Sequence, residues 1–299
     1  MTSLKVNAFS LFVLMILNQP LNSFADSSDC LQHNSPIFAF SDLVIKTRVY
    51  GAVDRRKELS AIAPELKLTK DEINLIRGAI GELFCEASGT FPKMSQTAFL
   101  IGNNREITTA GHGLVDSWGS TRDLSKCFFE NFEIPPKREY LLAQNPRNIL
   151  LAQPEDNENR NDRARLTLKA ALTSARPLPP DFSGKKLAKG TPVFLLASHH
   201  NDFKASGADP IVSPCGVKEY YDPGDGLSRM KTDCDSGPGS SGGVVLFRDN
   251  DGKLYAKAVS VASTHNDYSV VPNKAPYNSE TNATREIVID QSFLQWYSK

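Results

Sequence analysis

The sequence predicts an all-β protein, either a sandwich or a pair of barrels. From Ala79 onward, short runs rich in β-branched and aromatic residues alternate with Gly, Asn, Pro and Asp. Between these runs there is no segment of about 10 to 15 residues with the apolar periodicity of a helix, which disfavours a parallel βαβ sheet. The predicted strands are residues 80–85, 97–101, 107–110, 165–168, 192–197, 243–247 and 254–261.

Residues 1–25 have the layout of a cleavable secretory signal. Lys5 precedes an apolar stretch at residues 8–17, and Pro20 and a small-x-small ending, Ser23-Phe24-Ala25, follow. A buried N-terminal helix is the alternative. The apolar stretch is much shorter than the roughly 20 residues that span a bilayer, so no stable membrane insertion is expected after cleavage. The expected location is secreted or periplasmic.

Two further regions follow the signal. Residues 26–76 are assigned to an N-terminal or pro-segment, in which a short helix at 68–76 is expected with Thr69 as its cap. Residues 77–299 form the predicted folded domain. Near its end, residues 290–296 are expected to form a short helix that docks through Phe293, Leu294 and Trp296.

Charge and composition exclude several classes of partner. Lys+Arg 34 balance Asp+Glu 34, so no long-range field attracts nucleic acid or anionic membranes. The cysteines and histidines lack the spacing of a zinc site, and neither a metal nor another cofactor is expected. Of the five cysteines, Cys30 is the odd one. In an oxidising compartment the other four allow three disulfide pairings.

One set of residues could support nucleophilic catalysis. A serine hydroxyl needs a histidine to take its proton and a carboxylate to orient that histidine. His112 lies in the run 107–113, Asp162 precedes an alternating strand, and Ser241 lies in Gly239-Ser240-Ser241-Gly242-Gly243. Taken singly, each has an ordinary alternative: a structural histidine, a residue of a solvated acidic loop, and a surface glycine turn.

Taken together, three blocks resemble the catalytic blocks of trypsin-like serine peptidases. They are Thr-Thr-Ala-Gly-His ending at His112, Asp-x-Ala-x-Leu-x-Leu beginning at Asp162, and the run from Cys234 to Gly243. The resemblance covers roughly residues 79–297 and is closest to the bacterial branch that includes glutamyl endopeptidases. It implies two six-stranded antiparallel β-barrels with the active site between them and a short C-terminal helix.

The resemblance also implies roles for individual residues. His112 would be the general base, Asp162 would orient it, Ser241 would be the nucleophile, and the amides of Gly239 and Ser241 would form the oxyanion hole. The expected activity is hydrolysis of proteins or peptides by a secreted, monomeric endopeptidase. Ser240 stands where trypsin has an aspartate that pairs with a new N-terminus, so activation by that ion pair is not expected.

The same resemblance suggests candidate substrate-binding residues. Asp235 lies six residues before Ser241, where trypsin has the carboxylate that selects Lys or Arg. The alternative is a structural aspartate that accepts hydrogen bonds from loop amides. Ser263 lies on the later pocket strand, on which Ala262 aligns with the histidine of glutamate-selecting enzymes. A preference for glutamate therefore loses support.

The implied fold also selects one disulfide pairing. Cys85 with Cys127 would clamp the His112 loop, and Cys215 with Cys234 would brace the nucleophile loop.

Two other functions stay open. One is an esterase of the α/β-hydrolase type, although its chain order is Ser, acid, His with a helix after the serine. The other is an inactive peptidase-like domain used for binding.

Overall fold

The computed structural model describes most of the chain beyond residue 48. Both the predicted signal at 1–25 and Cys30 lie outside the described residues. The described ranges are 49–50, 53–89, 91–115, 120–142, 149–150, 162–198, 209–222, 227–237, 239–263, 274–275, 277–279 and 283–297.

Strands are the main regular elements among the described residues. The strands are β1 (Val49–Tyr50), β2 (Lys57–Glu58), β3 (Ile80–Cys85), β4 (Met94–Leu100), β5 (Glu106–Thr109), β6 (Cys127–Asn131), β7 (Arg138–Tyr140), β8 (Ile149–Leu150), β9 (Arg163–Thr167), β10 (Pro192–Ala197), β11 (Ile211–Tyr221), β12 (Arg229–Thr232), β13 (Val244–Arg248), β14 (Leu254–Ser263), β15 (Lys274–Ala275) and β16 (Thr284–Val288). The helices are α1 (Leu59–Ile62), α2 (Lys70–Ala79), α3 (Gln291–Tyr297) and a 3-10 helix (Leu124–Lys126).

The second half of the chain forms a closed six-stranded antiparallel barrel. The strand order is β10-β13-β14-β16-β12-β11, and pairing of β10 with β11 closes the ring. Along β10 the buried side chains alternate between two cores: Leu195 packs inside a cluster made by this barrel, whereas Phe194 and Leu196 join the larger core. Because successive side chains point to opposite faces, a strand buried on both faces is apolar throughout.

The first half forms a seven-stranded antiparallel sheet in the order β7-β6-β3-β4-β5-β9-β8. This sheet curves into a half-barrel. The chain that follows β7 contacts the chain that follows β9, which draws the two sides of the half-barrel together. There Leu141 bridges Leu168, the N–H of Leu142 donates to Thr167 O at 2.9 Å, and that of Lys169 donates to Tyr140 O at 2.8 Å. Phe99 and Ile107 of this sheet share the larger core with residues of the barrel.

Part of the segment before the first sheet is folded onto the barrel. Strand β2 pairs with β11, where Lys57 lies opposite Val212 and Glu58 opposite Ile211. Helix α1 follows with Leu59 and Ile62 completely buried.

Helix α2 begins at the predicted cap. The Thr69 side chain accepts a hydrogen bond from Glu72 N at 3.2 Å, and the Glu72 carboxylate accepts one from Thr69 N at 2.8 Å. This capping box satisfies two N–H groups that the first turn of a helix leaves without intrahelical partners. The predicted start of the helix is confirmed, and its end lies at Ala79.

The predicted all-β class and C-terminal helix are confirmed. In α3 the side chain of Phe293 is buried, and the Asp290 carboxylate accepts from the N–H groups of Ser292 and Phe293 at the helix start. The strand pattern located β3, β5, β9, β10, β13 and β14 to within a few residues. None of the described helices is long and apolar enough to cross a bilayer.

The longest strand, β11, was missed because it breaks the expected pattern. It contains Pro214, Gly216 and two adjacent charged residues, Lys218 and Glu219. Residues 211–212 pair with β2 and residues 217–221 pair with β12, so Pro214 lies between two partners, on a stretch with one unpaired edge. Proline is tolerated at such an edge because a missing N–H there interrupts no ladder.

The fold excludes the α/β-hydrolase alternative. In that fold the nucleophile serine is followed by a helix. Here Ser241 is followed by β13, which pairs antiparallel with β10 and β14.

Candidate active site

Pairing between two strands brings His112 and Asp162 together. In the β5–β9 pair Thr109 lies opposite Ala164, so the loop after β5 lies beside the residue that precedes β9. The Asp162 carboxylate then accepts three hydrogen bonds from the His112 loop. Its Oδ1 accepts from Gly111 N at 2.7 Å and from His112 N at 2.8 Å, and its Oδ2 lies 2.7 Å from His112 Nδ1.

The other ring nitrogen of His112 faces Ser241. His112 Nε2 lies 2.9 Å from Ser241 Oγ, which the loop before β13 carries. Asp162 and Ser241 are both buried, while 16% of the His112 side chain remains exposed. The three predicted side chains therefore lie in one line of hydrogen bonds, with two contributed by the half-barrel and one by the barrel.

The charge of Asp162 sets the protonation of His112. Burial lowers the pKa of the imidazole because a charged ring is poorly solvated there, but the negative charge of Asp162 and its hydrogen bond outweigh burial. The pKa of His112 is therefore raised above its ordinary value of 6.5. A base with a raised pKa accepts the proton of a neighbouring hydroxyl more readily.

Two backbone amides beside Ser241 remain available to a ligand. In the glycine run, Ser240 N donates to Gly237 O, Gly242 N to Ser260 O and Gly243 N to Ser240 O. Within the described part of the chain, the N–H groups of Gly239 and Ser241 have no acceptor. These are the two amides that the sequence assigned to an oxyanion hole.

A buried threonine holds the loop that carries these amides. Thr97 N donates to Gly239 O at 3.0 Å and to Ser241 O at 2.9 Å, and Thr97 Oγ1 donates to Gly239 O at 2.6 Å. The same hydroxyl accepts from Ser198 N at 2.7 Å. Thr97 therefore holds the backbone of this loop through the carbonyls of Gly239 and Ser241, on either side of Ser240.

Two glycines of the run are required by their surroundings. Gly239 has φ +93° and Gly242 has φ +80°, a region that residues with a side chain seldom adopt. A Cβ on Gly239 would collide with Ser198 O, and one on Gly242 would collide with Thr97 O and the Thr109 hydroxyl. The two glycines therefore allow the loop to pack closely against Ser198, which follows β10 of the barrel, and against Thr97 and Thr109 of the half-barrel.

Asp235 is surrounded by donors from a distant segment. Its carboxylate is completely buried and accepts hydrogen bonds from Tyr50 N at 2.7 Å and from Arg55 N at 2.8 Å. The Arg55 guanidinium also contacts it, with Nη2 3.1 Å from Oδ1. Both carboxylate oxygens are thus engaged by the chain itself.

The other predicted site residues lie nearby or outside the described region. Ser263 ends β14 and lies opposite Thr284 of β16, but its side chain is outside the described residues. Cys85 is bonded to Cys127 and Cys215 to Cys234, which is the predicted pairing. Among the described residues, no group of three or more His, Cys, Asp or Glu side chains could hold a metal ion.

Sequence reasoning missed Thr97, Ser198 and Arg55. A signal did exist for the first two: each is a polar residue at the end of an apolar, strand-like run, and such residues need hydrogen-bond partners when buried. No local pattern marked Arg55, which lies in a charge-rich stretch 180 residues from its partner.

No protein-family model and no curated protein matches the chain. Solved structures with a similar fold include a thermostable serine protease, AL20, from an extremophilic microorganism, with 16% identity, a TM-score of 0.47, and coverage of 74% of this chain and 95% of that one. Protease Anisep from Arthrobacter nicotinovorans is 14% identical with a TM-score of 0.46, covering 75% of this chain and 95% of that one.

Proposed function

We propose that the chain is a serine endopeptidase that hydrolyses protein or peptide substrates through an acyl-enzyme intermediate. The observation that carries the proposal is the line of hydrogen bonds from Asp162 through His112 to Ser241, with separations of 2.7 Å and 2.9 Å. Both distances are within the range that proton transfer requires. The two unengaged amides beside the serine supply the second requirement of acyl transfer, a site for the oxyanion.

In the first half of the reaction, Ser241 Oγ attacks the carbonyl carbon of the cleaved bond while His112 Nε2 takes the hydroxyl proton. The carbonyl oxygen becomes negatively charged and accepts hydrogen bonds from the amides of Gly239 and Ser241. His112 then gives the proton to the leaving amine, and Asp162 stabilises the transient imidazolium without taking its proton. In the second half, water takes the place of the amine and its oxygen bonds to the acyl carbon while His112 Nε2 takes one of its protons. The bond between the acyl carbon and Ser241 Oγ then breaks, His112 returns the proton to Oγ, and the carboxylic acid product leaves.

We further propose that the enzyme acts as an exported monomer, in the secreted or periplasmic space. The signal-like residues 1–25 support export, and the disulfides Cys85–Cys127 and Cys215–Cys234 are suited to an oxidising compartment. Internal cleavage, as opposed to trimming from an end, is tested with peptides blocked at both termini.

A fluorophosphonate probe tests the catalytic assignment. Such a probe phosphonylates a serine only where a base activates it. We expect the wild-type protein to be labelled at Ser241, the Ser241→Ala variant to be unlabelled, and the His112→Ala variant to be labelled at least a thousandfold more slowly. Ser183→Ala, which changes an exposed serine far along the chain, is the matched control and should be labelled like the wild type.

Two results would contradict the proposal. Labelling that persists in Ser241→Ala would mean that another group is the nucleophile. A correctly folded wild type that is neither labelled nor able to cleave the blocked peptides would instead favour the inactive binding domain. Circular dichroism of each variant establishes that a lost label does not come from lost structure.

A further inference from the structure

Asp235 is a buried carboxylate whose hydrogen-bond partners lie near residue 50. Tyr50 N donates to Oδ1 at 2.7 Å, and Arg55 N donates to Oδ2 at 2.8 Å. The Arg55 side chain adds Nη2 to Oδ1 at 3.1 Å and Nε to Oδ2 at 3.2 Å. Four donors from residues 50 and 55 therefore engage both oxygens of one carboxylate.

Arg55 supplies the charge that this carboxylate needs. The Asp235 side chain is 0% exposed and the Arg55 side chain 32% exposed, so the acid lies inside and the guanidinium reaches it from the surface. A buried carboxylate without a counter-ion is strongly unfavourable. The Arg55 guanidinium also donates to Asp233 O, so it contacts the residues on both sides of Cys234.

The segment that carries these donors is fixed at both ends. On one side, Tyr50 pairs with Ala275. The Tyr50 hydroxyl lies 2.9 Å from Thr284 Oγ1, and Thr284 Oγ1 in turn donates to Cys234 O at 2.8 Å. On the other side, β2 pairs with β11. The donors to Asp235 are therefore held by the barrel and do not depend on the side chain of Arg55 alone.

Asp235 begins the loop that ends at the nucleophile. Further along the loop, Ser240 N and Ser240 Oγ both donate to Gly237 O, and Thr97 holds the carbonyls of Gly239 and Ser241. The loop is thus anchored at its far end by the half-barrel and at its near end by Tyr50 and Arg55. Loss of either anchor would let the amides of Gly239 and Ser241 move.

Resting on the proposed function, we infer that Arg55 is a positioning residue for the nucleophile loop and that Asp235 is reserved for it and not available to a substrate cation. Two consequences follow. Asp235 does not select Lys or Arg at the cleaved bond. The active enzyme also retains residues 50–58, so any pro-segment is removed upstream of Tyr50.

The retained segment is tested on the enzyme as it is produced. The full-length chain is expressed, labelled with the fluorophosphonate, and the labelled species is analysed by intact mass and N-terminal sequencing. We expect every labelled species to include residues 50–58. A labelled, active species that begins after Glu58 would overturn the inference.

The positioning role is tested with a double-mutant cycle. Arg55→Met keeps an apolar stem and removes the charge, and should slow labelling of Ser241 at least tenfold. Arg55→Met combined with Asp235→Asn should be no slower than Arg55→Met alone, because the buried charge has then gone. The control Lys57→Met removes an exposed ion pair with Glu65 on the same segment and should stay within twofold of the wild type.

Three results bear on the inference alone or on both proposals. If the wild type is labelled and Arg55→Met is labelled at the same rate, the inference alone is contradicted. It is also contradicted if the loss of labelling rate in the double variant equals the product of the losses in the two single variants. An unlabelled wild type contradicts the proposed function and the inference together.

Substrate selection is read from the same proteins. Rates of cleavage are compared for four blocked peptides that differ only in the residue before the cleaved bond, which is Arg, Lys, Gln or Leu. We expect Asp235→Asn to change the ratio of Arg to Gln cleavage by less than threefold. A preference for Arg of tenfold or more that disappears in Asp235→Asn would show that a substrate reaches this carboxylate, and would overturn the inference.

Discussion

The Asp162 carboxylate decides which nitrogen of His112 can act as a base. An ionised carboxylate accepts hydrogen bonds and donates none, so Nδ1 carries the proton that points at Oδ2. In the neutral ring Nε2 then has the lone pair, and it faces Ser241 Oγ. The tautomer that the proposed reaction needs is therefore set by one contact between two side chains.

This contact predicts the pH dependence of the reaction. Neutral His112 is the proposed base, and Asp162 raises its pKa above 6.5. We therefore expect kcat/KM to rise with pH along a curve whose midpoint lies above 6.5. Asp162→Asn removes the charge while burial still lowers the pKa, so the midpoint should move to lower pH. The rate at pH 7 should fall about 10⁴-fold because the wrong tautomer is favoured. Rates of blocked-peptide cleavage between pH 5 and 9 provide the measurement, and an unchanged midpoint would argue against the assignment.

A second prediction at this scale concerns Thr97. Thr97→Val keeps the shape of the side chain but removes the hydroxyl that donates to Gly239 O and accepts from Ser198 N. We expect kcat to fall between about tenfold and thirtyfold with little change in KM, since the two lost hydrogen bonds contribute about 1 kcal/mol each and the oxyanion forms only during reaction. Thr97→Ser should restore most of the loss. Equal loss in the Ser variant would mean that packing of the methyl group matters and not the hydroxyl.

Among the elements, α2 shows how a local pattern can determine a local structure. The Thr69–Glu72 capping box lies at the surface and needs no contact from elsewhere to form. Glu72 also binds Arg248 at the end of β13, with Oε1 2.7 Å from Nη1, which ties the helix to the barrel. These contacts lower the pKa of the Glu72 carboxyl although its partial burial opposes them.

The cap gives a prediction of stability without loss of function. Thr69→Ala should lower the free energy of unfolding by about 1 kcal/mol, the usual contribution of an N-cap side chain. The rate of Ser241 labelling by folded protein should not change, because the helix contributes no group to the site. Urea unfolding monitored by circular dichroism measures the first quantity. Thr69→Ser, which keeps the cap, is the matched control and should unfold like the wild type.

At the scale of the whole molecule, the barrel buries the acid Glu286, which forms no ion pair with any residue that the structure describes. Glu286 of β16 is completely buried and accepts a hydrogen bond from Thr232 Oγ1 at 2.7 Å through one oxygen, while its other oxygen has no partner among the residues that the structure describes. Burial raises the pKa of the Glu286 carboxyl well above 4.5, the nearby charge of Asp233 raises it further, and the Thr232 hydrogen bond opposes both. The folded protein therefore holds this group as the neutral acid over a range in which the unfolded chain ionises it.

The sign of the resulting pH effect follows from proton binding. Above pH 4.5 the folded state binds more protons at Glu286 than the unfolded state does, so stability from this group falls as pH rises toward its folded pKa. Glu286→Gln removes the titration, and its free energy of unfolding should decline less between pH 5 and 8 than that of the wild type. Thermal unfolding across this range measures the difference. Parallel decline in both proteins would show that Glu286 does not titrate there.

The sequence alone determined much of this protein. Local patterns predicted the all-β class and α2 with its cap, because strand period and capping chemistry act between neighbours in the chain. The pairing of the four cysteines did not follow from their spacing; it was implied by the resemblance of three short blocks to trypsin-like peptidases, as was the grouping of the three side chains that the structure brings into one hydrogen-bonded line. The role of the three side chains in catalysis stays a prediction until the labelling experiment is done.

Other features were decided by the tertiary structure. The pairing of Arg55 with Asp235 and the hold of Thr97 on Gly239 join residues 180 and 142 positions apart. A sequence pattern indicates which residues are buried, but it does not indicate which buried donor meets which acceptor. That choice depends on strand register and on how the two sheets pack, and it determines whether Asp235 faces a substrate or the chain itself.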